Sequence, residues 1–169
     1  MTRHVAIAGL VVAACVSAIA QNGWRAASER ELAAAIPTRA PVVSERVETE
    51  RTSMSGIVDK QGHAIAAAVL ITAGYSAAGK YSDFMLTQVP IEVAGKHLPP
   101  GNYLLGWTRN SDGLAVQVFT AADGKPVVDV VAKIDPELKK VEQIRVWAPA
   151  PAGKIQLGRF AFPFSTANK

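Results

Sequence analysis

Phe84-Met85-Leu86-Thr87-Gln88-Val89-Pro90-Ile91-Glu92-Val93 is the stretch that decides the fold class. Met85, Thr87, Val89, Ile91 and Val93 fall on one side of an extended chain, and Gln88, Pro90 and Glu92 fall on the other. Side chains alternate across a β-strand with period two, so this pattern describes a strand with one face turned to a core. Pro90 has no N–H to give to a ladder, which places the strand at a sheet edge or bulges it at that residue.

Turn chemistry surrounds this strand. Ala94-Gly95-Lys96 makes a tight turn, and Leu98-Pro99-Pro100-Gly101-Asn102 makes another. Pro100 presets φ for the second position of a type II turn and Gly101 supplies the positive φ of the third. Strands at 102–109 and 114–121 flank Ser111-Asp112-Gly113, a hairpin signal. Asp123-Gly124 leads into a strand from Val127 to Ile134, and Asp135-Pro136 opens a polar turn. In 141–148, Ile144 and Val146 point inward while Gln143 and Arg145 point outward. The last strand, 155–164, changes face: Ile155 and Leu157 share one parity and Phe160, Phe162 and Phe164 the other, so a bulge near Gly158 is expected.

Upstream, Met54–Val58 precedes a turn at Lys60-Gln61-Gly62, and Ile65–Thr72 follows. There Ala66-Ala67-Ala68 favours helix, whereas Val69, Ile71 and Thr72 favour strand. The Gly62 turn and the Gly74 break decide for strand. About seven or eight strands, with turns roughly every 8–12 residues, give an all-β chain with an antiparallel β-sandwich over residues 54–169. Residues 21–53 read as a helix-prone segment and a linker. Ser28 and Glu31 have the spacing of a capping box, Trp24, Leu32 and Ile36 are its sizeable apolar groups, and Pro37 and Pro41 end the helix. Val42-Val43 is a candidate short edge strand within an otherwise loosely held stretch.

Residues 1–20 have the anatomy of a secretory signal peptide. Arg3 and His4 form a positive start, Val5–Val16 is uncharged and apolar, and Ala18-Ile19-Ala20 is a small-x-small cleavage site. The expected location is therefore periplasmic or secreted, with cleavage after Ala20. Val12-Ala13-Ala14-Cys15 supplies the alternative, a lipoprotein anchored through acylated Cys15. Cleavage after Ala20 leaves 149 of the 169 residues, the size of one domain. It also removes the single cysteine, and with it any disulfide, thiol nucleophile or Cys–metal chemistry. The chain carries 18 Lys and Arg against 14 Asp and Glu, but its basic residues are dispersed and Lys139-Lys140 is the longest run. That distribution speaks against a nucleic-acid partner.

Val89-Pro-Ile-Glu-Val-Ala-Gly-Lys-His-Leu-Pro-Pro-Gly-Asn-Tyr103 resembles the V-x-V-x-G-K-x-L-P-x-G-x-Y segment of a family of secreted bacterial β-sandwich domains of unknown function. Ile144-Arg145-Val146 and Arg159-Phe160-Ala161-Phe162 suit that family's last two strands, so the resemblance spans about residues 83–164. It implies fold and location, and no activity. Ser55–Val69 followed by Leu98–Tyr103 is also similar to carboxypeptidase regulatory-like, transthyretin-like domains, a resemblance that implies a contact-making sandwich.

No catalytic motif stands out. His63 and His97 lie in or beside turns without metal-ligand spacing, and no G-x-S-x-G elbow or phosphate-binding loop is present. Gly79-Lys80-Tyr81-Ser82-Asp83 reads as polar surface. The aromatic residues are the better candidates for ligand contact: Trp147, Tyr81 and Trp107 could offer stacking faces to a sugar or peptide. Tyr103, Leu105 and Trp107 share a strand face, which suits a core, and Trp147 is out of phase with its inward neighbours. The expectation is an exported, non-enzymatic binding or structural domain that needs no cofactor, with an envelope protein or glycan as partner and no membrane-spanning helix in the mature chain. The alternative is a periplasmic hydrolase whose site is assembled in space.

Overall fold

The computed structural model describes residues 23–74, 79–150 and 152–166. The export-signal readings at Ala20 and Cys15 lie outside these residues. Within them the chain is all-β, with fourteen strands in place of the expected seven or eight. In chain order they are β1 (Arg25–Ala26), β2 (Arg39–Val42), β3 (Glu45–Thr49), β4 (Ser55–Val58), β5 (Ala64–Ile71), β6 (Asp83–Thr87) and β7 (Ile91–Val93). There follow β8 (Lys96–Leu98), β9 (Gly101–Asn110), β10 (Gly113–Thr120), β11 (Pro126–Ile134), β12 (Glu142–Trp147), β13 (Gly153–Gly158) and β14 (Phe160–Thr166). One helix, α1 (Glu29–Ala35), lies between β1 and β2.

The pairing is antiparallel and joins the fourteen strands into one sheet that folds over a shared core as two facing halves. One runs β1-β4-β5-β6-β9-β10-β11, and the other β8-β7-β14-β13-β12. At one corner β11 bridges them through Lys133↔Ala161 and Ile134↔Phe160. At the opposite side the Val146 N–H of β12 donates to Ser55 Oγ of β4 at 3.0 Å. The inward parities of both sheets meet in one apolar core, with Ile65, Met85, Leu105 and Val116 facing Ile155 and Phe162.

The helix-or-strand ambiguity around Ala66 has a physical reason. β5 is central and buried on both faces. Ile65 and Ala67 enter the core between the sheets, while Ala64, Ala66, Ala68 and Leu70 lie in a second cluster with Leu32, Ile36 and Val47. A doubly buried strand has no polar face, so its sequence cannot alternate. Its alanines let a third layer, α1 and the β2–β3 hairpin, approach closely. At Gly56 even a Cβ would be too much, since it would lie 2.8 Å from Leu32 Cδ2.

That third layer corrects the reading of 37–53 as a loosely held linker. β2 and β3 pair in register from Arg39↔Glu48 to Val42↔Glu45, and β3 continues onto β5 through Glu48↔Ile71 and Thr49↔Leu70. Ala40, Val42 and Val47 are buried in the same cluster as Phe84 and Leu104. The strands are too short for their alternation to stand out in sequence. Helix α1 starts on the expected capping box: the Glu31 N–H donates to Ser28 Oγ at 3.3 Å and the Ser28 N–H donates to Glu31 Oε2 at 2.8 Å. Trp24, ahead of the helix, reaches the core between the sheets.

Three local readings change. The 84–93 run is two strands, because the ladder stops after Thr87 and the chain passes Pro90 into β7, which pairs with β14 and β8. Met85, Val89, Ile91 and Val93 nevertheless all face the core between the sheets, so the alternation outlives the change of partner. Gly101 has no positive φ and opens β9 opposite Thr87, so Pro100-Gly101 is not a type II turn. Positive φ occurs instead at Ala94 (49°) and Gly95 (72°), the two-residue loop of the β7–β8 hairpin. The face change at Gly158 is a hairpin rather than a bulge: Leu157 pairs with Phe160 across Gly158-Arg159, which turns both side chains into the core.

Candidate functional site

The core between the sheets is not closed at every end. On β9 the inward parity runs Tyr103, Leu105, Trp107, Arg109; the first two are buried, whereas Trp107 is 44% exposed and Arg109 is exposed. The strand outlasts the opposing layer, so its last inward residues line a mouth instead of a core. A groove of about 500 Å³ opens there. Its apolar wall includes Val69, Trp107, Leu114, Val141, Leu157 and Phe160. The Arg109 guanidinium lies 5.2 Å from the Phe160 ring centre, the geometry of a cation over an aromatic face.

Asp83 belongs to this groove. It is the first residue of β6 and shares the parity of Met85 and Thr87, with Val69 of β5 and Leu105 of β9 as cross-strand neighbours. Only 3% of its surface is exposed. The Trp107 side chain hydrogen-bonds to its carboxyl group, and since an indole offers only its N–H, Trp107 is the donor. Its Oδ2 oxygen is buried and has no hydrogen-bond partner in the protein. Burial pushes the acid up to about 7, and the bond from Trp107 pulls the other way without cancelling it. A carboxyl group at a wall of apolar side chains is thus poised to change charge near neutral pH.

The rim at Val141 is held from behind by Gln156, which is fully buried. Its Nε2 donates to Lys140 O and to Gly158 O, both at 2.7 Å, and its Oε1 accepts the Trp147 indole N–H at 2.9 Å. Arg145 stacks over Trp147 at 4.4 Å and reaches Glu142 Oε1 at 3.3 Å. Lys154 reaches Asp135 at 2.8 Å and Glu137 at 3.0 Å, tying the start of the same loop.

The three aromatic candidates therefore do not form one surface. Trp107 lines the groove. Trp147 is partly exposed but is used in bracing the loop behind the rim. Tyr81 is buried in the outer cluster, edge-on to Phe119 with centres 5.2 Å apart, and offers no accessible face. His63 Nδ1 lies 2.9 Å from Asp59 Oδ2 in the β4–β5 turn, and exposed His97 pairs with Glu92 across the β7–β8 hairpin. Among the described residues no group of three His, Cys, Asp or Glu side chains is placed to hold a metal ion. No helix of the described residues is long and apolar enough to cross a membrane.

Asp83 and Arg109 are groove residues that the sequence reading did not single out for ligand contact. The signal was present: extending the period-two pattern of β6 by one step places Asp83 on the core face, and extending that of β9 places Arg109 beside Trp107. No protein-family model, curated protein or solved structure matches this chain.

Proposed function

We propose that this chain is an exported, non-enzymatic binding domain whose ligand site is the Asp83–Trp107 groove. The observation that carries the reading is the buried Asp83 carboxyl, with an oxygen that has no partner in the protein, in a side chain lining a largely apolar groove. Native structures leave few buried polar atoms without partners, and an unmet one costs on the order of 1–3 kcal/mol. Such a group is worth keeping where a bound molecule completes it. A volume of about 500 Å³ suits a small ligand, and apolar walls with a few placed polar groups are the ordinary make-up of such sites. The signal-like residues 1–20 support an extracytoplasmic location, periplasmic or secreted.

The hydrolase alternative draws on the same acid, since a carboxyl group near neutral pKa suits proton transfer. It lacks a second catalytic group: the other groove carboxylate, Glu142, is held by Arg145, and no histidine lines the groove. Binding is therefore the preferred reading.

The test follows the three tryptophan indole N–H signals by NMR while neutral 2-phenylethanol is added. The groove reading expects Trp107 to shift and saturate while Trp24 and Trp147 stay in place. An unmoved Trp107, or equal small drifts of all three, would remove it.

A further inference from the structure

The chemistry of the groove also selects a ligand class, an inference that rests on the binding reading above. We infer that the site takes a cationic amine carried on an apolar body, with the ammonium against Asp83 Oδ2 and the body along Trp107, Leu114, Leu157 and Phe160.

Among the described side chains lining the groove, Asp83 carries the buried polar atom, Oδ2, that has no hydrogen-bond partner in the protein. A carboxylate oxygen is an acceptor, so the ligand must bring a donor. A charged donor gains more than a neutral one in a desolvated setting, because the N⁺–H···O⁻ bond is stronger and the ligand's charge offsets that of the buried acid. The charged side chains lining the groove with Asp83 are Arg109 and Glu142. Arg109 is exposed and lies over the Phe160 ring, and Glu142 is paired with Arg145, so each is engaged elsewhere than at Asp83. An anionic ligand would meet the charge of Asp83 at the floor and find its only cationic partner at the rim. The apolar walls accept a ring or a branched alkyl chain but give a sugar's hydroxyl groups few partners.

Ionised Asp83 is the form that binds an ammonium, so the apparent affinity follows the ionised fraction. The test uses the full chain with three matched probes: 2-phenylethylamine, 2-phenylethanol and 3-phenylpropanoate, each titrated by the Trp107 signal at about pH 5.5 and about pH 8.5. The inference expects the amine to tighten by about thirtyfold at the higher pH, with the alcohol nearly constant and the carboxylate weakest there. Asp83→Asn should abolish the pH dependence and remove the preference for amine over alcohol. The wild-type comparison stands by itself should that variant not fold. Equal affinities of amine and alcohol at both values, or a carboxylate that binds best, would overturn the amine assignment and leave the groove reading intact. Failure of all three probes to move Trp107 would overturn both.

Discussion

Exchanging Asp83 for asparagine removes a titrating proton while changing little in volume, and its effect on stability should depend on pH in a defined way. In the folded chain the carboxyl titrates at about 7, against 3.8 for an ordinary aspartate. Between those values the folded state holds more protons than the unfolded state, so unfolding free energy falls as pH rises. The stability is intact below about pH 4, drains away up to about pH 7 and is fully lost above it. A gap of about three pKa units corresponds to about 4 kcal/mol. Asparagine does not titrate, so the difference in stability, variant minus wild type, should move by about 4 kcal/mol in the variant's favour between about pH 4 and about pH 9. The unmet amide donors of the new side chain add an offset that does not vary with pH. Glu31, Asp59, Asp123 and Asp135 are all held below their ordinary values by local hydrogen bonds and pull the pH profile the other way. They are common to both proteins and cancel in the difference. Urea unfolding across the pH series, with m unchanged between the two proteins, measures it. A flat difference would refute the burial of this carboxyl, and a difference that moved toward the wild type would reverse its sign.

Other expectations concern the backbone and the rim. Ala94 adopts φ 49° in a two-residue hairpin loop ahead of Gly95; Ala94→Asn creates the favoured Asn-Gly pair and should raise stability by about 1 kcal/mol in thermal melts. Gly113 has φ 145°, and a Cβ there would lie 2.2 Å from Ala132 O, so Gly113→Ala should cost about 3 kcal/mol or more by urea unfolding. Gly101→Val should stay within about 1 kcal/mol, since Gly101 is strand backbone whose nearest neighbour to a new Cβ is Tyr103 Oη at 3.6 Å. Gln156→Leu leaves Lys140 O and the Trp147 indole without their partner and should cost about 2 kcal/mol, with faster amide exchange through residues 139–142.

Strand positions were legible where polar or turn-forming residues punctuate the chain, as Gln88 and Glu92 do beyond the doubly buried β6. Met85 to Val93, Ile144 with Val146, and the Ser111-Asp112 hairpin all carry period two or turn chemistry in the residues themselves. Legibility failed where a third layer covers a strand, because Ala64 to Ile71 shows no polar parity when α1 and the β2–β3 hairpin bury its outer face. It failed again where the ladder changes partner without a change of parity, as between Thr87 and Ile91: periodicity reports which way a side chain points and is silent on which strand lies alongside. The site had both problems. Trp107 was visible as an aromatic residue in phase with a core, but its exposure depends on where the opposing sheet ends. Asp83 looked like loop polarity until strand β6 was found to begin on it. Tyr81 misled because an aromatic residue in a polar run gives no sign of which layer it enters.

The most direct measurement is the titration of the Asp83 side-chain carboxyl carbon by ¹³C NMR, first in the free protein and then with saturating 2-phenylethylamine. The account expects a midpoint near 7 in the free chain, following the burial of its carboxyl, and a clear fall toward the ordinary carboxylate range when the ammonium occupies the groove. A free-protein midpoint already at the ordinary value, or one that the amine leaves unmoved, would contradict it.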